Sequence, residues 1–459
     1  CVVHVDIDCF FVQAELLDKP ELKGKAVAVY QHEDILSVSY EARELGIRRH
    51  DVTSEVREKL PEVVLQSVPV EEGTTKVSYE KYLRLSQHVF SIVKQHVPKA
   101  IIEKSGMDEA FIDLSDYISF VEGALPAANA NVDQLIFGGS DDVIFSTEEE
   151  QIIRMGNICQ ILRDDIKLKT GLIVSMGLGS NKLVTKIASS RFKPDCQTVV
   201  LPRFHKRLMQ DVPLQRIPQY KTKCAPIREL LEQQLKLATA KDVLDHIQEI
   251  NNEAGAQAGL VDWLHQVCIG NDLSPVKVTP PPKSLSVSMT LTPIDSTNLQ
   301  QLQRIVEYLT SNLATRLAFD EQEFERKVTS LCIRFRFVDH KEMKSANIPT
   351  ANLSQQCGNE SFVMKLLEML ISSGKPHLPW KLRWCGLFCT KFVKTPKNVI
   401  SQFFGSSAHA TSQQQPNYPS RSPVKKTPIP TPIKKQSQKK GIGSAQPSML
   451  NFFNKQADK

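Results

Sequence analysis

Strand-like and helical patterns of apolar residues alternate along most of the chain. Period-two alternation or short apolar runs predict strands at residues 3–7, 26–30, 35–39, 101–104, 111–114 and 172–179. Helical spacing predicts helices at residues 40–46, 79–97 and 152–168, one that starts near Asn181, and a mainly helical stretch at 206–272. Residues 118–150 have weak periodicity and are expected to form an insertion or mobile loop. The mixture predicts an α+β chain.

The segment at residues 284–394 has the most regular pattern. Apolar residues alternate at 285–291 and 331–337, recur at helical spacing at 299–313 and 362–371, and form strand-like runs near 341–348 and at 384–392. This order, βαββαβ, predicts a small sheet with its helices on one face. Arg334 and Arg336 would then lie on the opposite face, which is either a surface for a phosphate backbone or an ordinary solvated face.

Composition changes this picture mainly near the C-terminal end. The chain has 459 residues, enough for several domains, and a formal net charge of +6. From Pro396 onward there are ten Lys or Arg and one Asp, and apolar residues are sparse, so residues 395–459 are predicted to be a disordered basic tail. No apolar run is long enough for a transmembrane helix, no secretory signal is visible at Cys1, and residues are expected to precede it. Ten scattered cysteines predict reduced, intracellular thiols.

Three acidic residues are the candidate chemistry. Asp6 ends the first predicted strand, and Asp108 and Glu109 lie beside the turn of a hairpin predicted on a neighbouring strand. Clustered carboxylates repel one another, and Mg²⁺ prefers such hard oxygen ligands together with substrate phosphates. Two ions about 4 Å apart can activate a hydroxyl nucleophile and stabilise a leaving group. Taken alone, each of these residues is more often part of a solvated loop, and Asp8 is expected only to cap the helix that follows it.

Four motifs in a fixed order place these acids in context. They are Asp6 to Glu15, Val38 to Arg43 followed by Gly46-Ile47-Arg48, Ser105 to Leu114, and Ser175 to Lys182 with Lys193-Pro194 after it. Together they resemble the palm and fingers motifs of the Y-family translesion DNA polymerases. Within that family, the first two motifs are most similar to the eta branch.

The resemblance implies a right-hand architecture and an activity. The implied domains are a palm at 1–13 and 80–205, fingers at 14–79, a thumb at 206–272, a linker at 273–283, a little finger at 284–394 and the tail at 395–459. The βαββαβ pattern fits the little finger independently. The implied activity is template-directed DNA synthesis past damaged bases, such as ultraviolet cyclobutane pyrimidine dimers, with low fidelity on undamaged template. Its substrates would be primer–template DNA and a deoxynucleoside triphosphate.

Matched residue by residue, the resemblance also implies the site. Two Mg²⁺ ions, with Mn²⁺ as an alternative, would be held by Asp6, Asp108 and Glu109 and by the backbone carbonyl of Ile7. The nucleotide would be bound by Cys9, Phe10, Phe11, Tyr40, Arg43, Arg49 and Lys193. Phe11 would be the aromatic steric gate against a ribose 2′-hydroxyl, and Gln31 would touch the templating base. Read without the motifs, Phe11 is a core residue and Gln31 is a surface residue.

Three features depart from the family pattern. A glycine-rich stretch between Gln31 and Val38 is absent. Residues 217–224 lack the glycines of the hairpins that often bind DNA phosphates in the family, although Lys221 and Lys223 remain as candidate backbone contacts. No Cys/His zinc finger occurs, which puts ubiquitin recruitment in doubt.

The tail carries short motifs for partners. Gln446, Met449, Phe452 and Phe453 match the pattern of a sliding-clamp-binding peptide, in which one helical turn fills an apolar pocket. Phe403-Phe404, or Phe452-Phe453 itself, resembles the double-Phe motifs that dock other translesion polymerases. Lysine pairs at 425–426, 434–435 and 439–440 indicate nuclear import, or else a plain basic tail. No membrane partner is expected.

Two other functions remain open on the sequence. One is a different enzyme with a palm-like carboxylate site, such as a nucleotide cyclase. The other is a non-catalytic scaffold that recruits polymerases through its tail, against which the intact Asp6, Asp108 and Glu109 argue.

Overall fold

The elements follow the expected mixture of strands and helices. A computed structural model describes residues 1–70, 77–117, 135–137, 145–254, 257–338, 343–349, 356–357, 359–374 and 379–394, all of them within one compact unit, Cys1–Thr395. The predicted tail at 395–459, with its clamp-binding and double-Phe motifs, lies outside the described residues. So does most of the predicted insertion at 118–150. No described helix has both the length and the apolar composition that crossing a membrane requires.

The strands and helices are numbered here in chain order. The described strands are β1 Val2–Ile7, β2 Val27–Gln31, β3 Asp34–Val38, β4 Val64–Ser67, β5 Ile101–Lys104, β6 Glu109–Asp113, β7 Leu135–Ile136, β8 Val174–Gly179, β9 Gln197–Val199, β10 Leu285–Asp295, β11 Arg326–Val328, β12 Ser330–Phe337, β13 Lys344–Pro349, β14 Lys381–Cys389 and β15 Phe392–Lys394. The described α-helices are α1 Phe10–Asp18, α2 Tyr40–Glu44, α3 Thr53–Lys59, α4 Glu80–His96, α5 Thr147–Thr170, α6 Lys182–Arg191, α7 His205–Met209, α8 Tyr220–Lys223, α9 Ala240–Asp245, α10 Ile247–Ala254, α11 Ala258–Cys268, α12 Leu299–Phe324 and α13 Glu360–Gly374.

The largest sheet has the order β5-β6-β1-β8-β9-β7, with β1 antiparallel to both of its neighbours. Alternation along β1 sends Val3, Val5 and Ile7 into a core shared with α4 and α5. His4 and Asp6 therefore point to the other face, which α6 covers. Gly177 of β8 makes this cover close, because a Cβ there would lie 2.1 Å from the Thr185 carbonyl oxygen. One face of the sheet is thus a packed core, and the other carries polar groups under a helix.

A three-stranded sheet is inserted in sequence between β1 and β5 of this sheet, and a helical region follows β9. The order β3-β2-β4 forms the smaller sheet, which has a core of its own around Ala28, Ile35 and Val38, packed with residues of α2 and α3. Residues 205–268 are mainly helical, as expected, and bury a cluster that includes Tyr220 and Leu264 against α6.

The segment at 284–394 forms the βαββαβ sheet that its pattern predicts. The order is β10-β14-β12-β13, and α12 and α13 cover one face of the sheet. A short pair, β11 with β15, is an addition that the pattern did not predict. Arg334 and Arg336 are exposed while Ile333 and Phe335 are buried, so the arginines lie on the face away from the helices.

The proline-containing linker lies along an edge strand. The Lys277 amide donates to Glu103 Oε2 at 2.8 Å, and the Lys104 amide donates to Thr279 Oγ1 at 2.6 Å. Val276 is buried beside Val2 and Phe111. The segment therefore packs on β5 although it forms neither helix nor strand.

One local expectation is wrong. Asp8 was expected to cap α1, but the cap position is Cys9, in the left-handed region at φ 36°, and no side chain caps the helix. Asp8 is buried, and its carboxylate accepts hydrogen bonds from Ser175 Oγ and the Asp195 amide. Because Asp8 is buried, donors that are distant in sequence bond to its carboxylate, and it does not cap the first turn of α1.

Candidate active site

The register of β1 with β6 brings the three predicted acids together. Asp6 lies directly opposite Glu109, and the Ile7 amide donates to the Asp108 carbonyl at 2.8 Å. Directly opposed residues of an antiparallel pair point to the same face of the sheet. Asp6 and Glu109, about a hundred positions apart in sequence, thus meet at one end of the central strands on the face that α6 covers, and Asp108 precedes Glu109 in the chain.

Two lysines contact two of these acids. Lys193 Nζ forms an ion pair with Asp6 Oδ1 and lies 3.3 Å from Asp8 Oδ1. Lys186 Nζ of α6 donates to both oxygens of Glu109, at 2.8 and 2.7 Å. Over the residues that the structure describes, no trio of Asp, Glu, His or Cys side chains converges in an arrangement that could hold an ion. The acids are adjacent, and lysines partly neutralise them.

The pKa values of Asp108 and Glu109 are shifted in opposite directions. Burial, followed by the charge of Asp6, raises the pKa of Asp108. The approach of His4 Nε2 to 3.4 Å, and then the Lys186 ammonium, lowers the pKa of Glu109 to about 2. The Asp108 carboxylate has no ion pair or side-chain hydrogen bond to any described residue, so it is the acid whose charge is least compensated.

The donor types, but not the lysine-paired arrangement seen here, are those that bind a hard divalent cation. Three carboxylates and the neighbouring Ile7 backbone supply the oxygen chemistry that Mg²⁺ prefers. Burial, and then the charge of Asp6, raises the pKa of Asp108, and a bound cation would offset both effects. Lys186 and Lys193 would have to yield part of their contacts as the cation enters.

A buried histidine and a buried serine lie beneath Glu109, and the motifs indicated neither of them. His4 is fully buried, with Nδ1 2.7 Å from Ser189 Oγ and Nε2 3.4 Å from Glu109 Oε2. Burial lowers the pKa of His4, so the imidazole is neutral. A signal existed in the alternation of β1, where His4 shares a face with Asp6. The partner on α6 depends on packing that the sequence does not reveal.

Cys9, Phe10 and Phe11 stand in different environments at the start of α1. Phe10 is buried in the main core, so only its backbone can face a nucleotide. Phe11 is half-buried, with its ring edge-on to Tyr82 at 4.5 Å and to Tyr79 at 5.9 Å between centroids. Burial, and then Asp8, raises the pKa of the Cys9 thiol to about 12.

The predicted triphosphate ligands flank the acids. Tyr40 begins α2 and donates its hydroxyl to Asp8 Oδ1 at 3.3 Å. The Arg43 guanidinium lies over the Tyr40 ring, 4.6 Å from its centroid, while its Nε donates to the Val38 carbonyl. Asp8 thus connects Tyr40 to Lys193, which ties the start of α2 to the strand-end acids. Arg49 is exposed, farther along the same segment.

Gln31 ends β2, in the three-stranded sheet and not in the sheet that carries Asp6 and Glu109. Its Oε1 accepts a hydrogen bond from the Tyr79 hydroxyl. It also lines a cleft with His32 and Asp34. The structure therefore groups the predicted residues into an acid cluster, a basic and aromatic flank, and a separate position at Gln31.

Two protein-family models match this chain. The model of the impB/mucB/samB family matches residues 5–190, and the model of its C-terminal domain matches residues 282–401. The chain belongs to the Y-family of translesion DNA polymerases. The family predicted from the motifs is confirmed. The first match contains all three acids, and the second contains the βαββαβ sheet.

Curated relatives come from several branches of the Y-family. DNA polymerase iota of Mus musculus is 27% identical over 379 residues, which cover 81% of this chain and 50% of the relative. DNA polymerase eta of Arabidopsis thaliana is 27% identical over 463 residues, covering 92% and 66%. DNA polymerase IV of Shewanella sp. (strain W3-18-1) is 28% identical over 347 residues, covering 74% and 82%. The chain spans about half the length of the mouse relative.

Proposed function

We propose that this Y-family chain is a template-directed DNA polymerase that joins a deoxynucleoside monophosphate to a primer 3′-hydroxyl and releases pyrophosphate. The observation that carries the proposal is the register that sets Asp6 opposite Glu109 with Asp108 beside them. Basic groups adjoin this cluster at Lys193 and Arg43, which suits a triphosphate. A carboxylate cluster next to phosphate-binding cations is what nucleotidyl transfer requires.

Each residue has a proposed role in this chemistry. Asp6, Asp108 and Glu109, with the Ile7 carbonyl, would hold two Mg²⁺, which supply charge stabilisation and hydroxyl activation when bound. Lys193, Arg43 and Tyr40 orient the triphosphate and offset the charge that builds on its oxygens. Arg49 is proposed to contact the same nucleotide from the fingers. Cys9 and the Phe10 backbone line the floor on which it lies.

Two further residues are proposed to select the nucleotide. The half-buried Phe11 ring, braced edge-on by Tyr82, is a rigid wall against a ribose 2′-hydroxyl. Gln31 would contact the templating base from its cleft. A fixed aromatic wall discriminates by steric exclusion, and a single amide tolerates several bases, which suits synthesis on imperfect template.

The proposed domain layout follows the sheets. The palm comprises 1–13 and 80–205, the fingers 14–79, the thumb 206–272 and the little finger 284–394, joined by the linker at 273–283. The three-stranded sheet belongs to the fingers and the βαββαβ sheet to the little finger. Exposed Arg334 and Arg336 support a DNA-binding role for the open sheet face.

The biological setting is part of the proposal. We assign translesion synthesis past ultraviolet cyclobutane pyrimidine dimers, with low fidelity on undamaged template, in the nucleus. The tail would bind a sliding clamp through residues 446–453 and other translesion polymerases through Phe403-Phe404 or Phe452-Phe453. These partners rest on sequence motifs alone.

Primer extension tests this function. Full-length protein, Mg²⁺ and the four deoxynucleoside triphosphates are incubated with primers on undamaged template and on the same template with one thymine dimer. The proposal expects extension on both, with passage across the dimer. A nucleotide cyclase or a non-catalytic scaffold would leave both primers unextended, which would overturn the polymerase assignment. Arrest at the dimer with normal extension elsewhere would overturn only the lesion assignment.

A further inference from the structure

The Gln31 side chain is held by a tyrosine that none of the motifs includes. The Tyr79 hydroxyl donates to Gln31 Oε1, across 48 positions of sequence. An amide has one acceptor oxygen and one donor nitrogen at its end. Since the oxygen is engaged by Tyr79, the NH₂ group is the end left for another partner.

Tyr79 is itself fixed by packing. Its ring lies edge-on to Phe11 at 5.9 Å and 80°, and 5.9 Å from the Tyr82 ring. Tyr82 is fully buried, and its hydroxyl donates to Glu15 Oε1 at 2.8 Å. Such an aromatic cluster leaves Tyr79 little rotamer freedom. The hydroxyl that holds Gln31 is therefore anchored to the same rings that brace Phe11.

The cleft beside Gln31 favours a donor. It has a volume of about 470 Å³ and is lined by Gln31, His32, Glu33, Asp34, Leu36, His50 and Val52. Tyr79 is not among its described lining residues, so it reaches Gln31 from outside the cleft. Two carboxylates share the lining with Gln31, and they favour an amide orientation with the NH₂ end toward them.

We propose that Tyr79 is a positioning residue that orients Gln31 so that it presents only its NH₂ donor to the templating base. This inference rests on the proposed polymerase function and on the contact of Gln31 with the template. A donor can pair only with an acceptor on the base. The minor-groove edge offers an acceptor on A and T alike, whereas major-groove patterns differ between bases. A fixed donor at the minor-groove edge would thus contact the templating base without distinguishing one base from another.

Template analogues and a conservative variant test the inference. Single-nucleotide insertion is measured opposite adenine, 3-deazaadenine, which lacks the minor-groove acceptor, and 7-deazaadenine, which lacks the major-groove one. Loss of one hydrogen bond predicts a decrease of about tenfold in kcat/KM opposite 3-deazaadenine for the unmodified protein. Tyr79→Phe frees the amide to rotate, so the penalty for that analogue is expected to fall to within about twofold.

Two controls separate this effect from general damage. Tyr79→Phe keeps the ring, so discrimination between ribo- and deoxyribonucleotides at Phe11 should be unchanged. Tyr117→Phe removes another hydroxyl, one that donates to the His96 carbonyl at 3.1 Å, and should leave the analogue penalty intact. Gln31→Glu, which replaces the donor by an acceptor, should lower insertion opposite adenine about as much as the analogue does.

The outcomes are distinct. An analogue penalty that disappears in Tyr79→Phe and persists in Tyr117→Phe supports the role of Tyr79. A penalty that persists in Tyr79→Phe, or equal insertion opposite all three templates by the unmodified protein, overturns the inference while leaving the polymerase function standing. Failure to extend any primer overturns the proposed function, and the inference with it.

Discussion

At the residue scale, the three acids differ in whether a basic side chain balances their negative charge. Asp6 and Glu109 each contact a lysine, while the Asp108 carboxylate contacts no basic side chain within ion-pair distance among the described residues. Burial, and then the charge of Asp6, raises the pKa of Asp108. A divalent cation would balance the charge of Asp108 first. We therefore expect substitution of Asp108 to have the largest effect among the three acids.

The Phe11 ring provides a prediction at this scale. Phe11→Ala removes the wall that Tyr82 and Tyr79 brace, so ribonucleotide incorporation relative to deoxyribonucleotide incorporation should rise at least about tenfold. Competitive single-turnover insertion measures the ratio. Phe10→Leu serves as a control, since Phe10 is buried in the core and should alter stability more than sugar choice. An unchanged ratio in Phe11→Ala would refute the steric gate.

The sequence indicated these residues, but their contacts depend on packing. The motif containing Asp108 and Glu109 indicated the acids, and the one containing Lys193 indicated the lysine that pairs with Asp6. Neither His4 nor Lys186 was predicted to contact Glu109, because their meeting depends on how closely α6 lies over the sheet. For Asp8 the prediction itself was wrong. A local rule predicted a helix cap, but its carboxylate instead accepts hydrogen bonds from residues far away in sequence.

At the element scale, the approach of α6 to β8 controls the site. Gly177 permits it, because an added Cβ would lie 2.1 Å from the Thr185 carbonyl oxygen and 2.5 Å from the Ser189 nitrogen. Those atoms are backbone and cannot rotate away. Displacing α6 would also move Lys186 and Ser189, which contact Glu109 and His4.

Gly177→Ala is therefore expected to destabilise the fold by about 2–3 kcal/mol. Chemical denaturation followed by circular dichroism measures the loss. Gly259→Ala is the matched control, since its Cβ would meet nothing within 4 Å and it lies in α11, where alanine is the better helix former. Equal stability of the two variants would contradict the close packing of α6 on β8.

Strand β14 carries two cysteines that test the packing of its buried side. Burial raises the pKa values of Cys385 and Cys389 to about 12, so both remain protonated thiols at pH 8. Alkylation by iodoacetamide in the folded protein should be slow at both and should speed up only on unfolding. Mass spectrometry compares them with half-buried Cys332 on β12. Rapid modification of Cys385 at pH 8 would contradict the packed core.

Strand and helix positions were largely predictable, while register was not. The period-two pattern located β10 and β12, and helical spacing located α4 to within a residue. The pairing of Asp6 with Glu109 joins strands separated by a hundred residues, and no local pattern encodes it. The β11–β15 pair was missed because three-residue strands are too short to show alternation.

At the scale of the whole molecule, the face of a sheet that its helices leave uncovered carries exposed arginines. The open face of the sheet at 284–394 presents Arg334 and Arg336, and the Arg334 guanidinium lies 4.6 Å from the centroid of the Phe388 ring. This distance is that of a cation–π contact between the guanidinium and the ring. This face is the expected contact for the phosphate backbone of the duplex.

The double variant Arg334→Ala and Arg336→Ala should weaken binding of primer–template DNA. The slope of log affinity against log salt should decrease by roughly 2, because two phosphate contacts are lost. Fluorescence anisotropy across a salt series measures both quantities. Arg304→Ala with Lys365→Ala removes two exposed cations from the helical side and should leave the slope unchanged. Equal slopes for the two double variants would exclude the open face as the DNA contact.

The most direct measurement of the whole account is the primer-extension rate of Asp108→Asn. The substitution keeps the shape of the side chain and removes the carboxylate that lacks a basic partner. We expect a decrease of at least about a hundredfold, with unchanged circular dichroism. Asp116→Asn, at an exposed acid nearby, should extend the primer at the unmodified rate. An Asp108→Asn protein that extends as fast as the Asp116→Asn control would contradict the assignment of the acid cluster as the catalytic site.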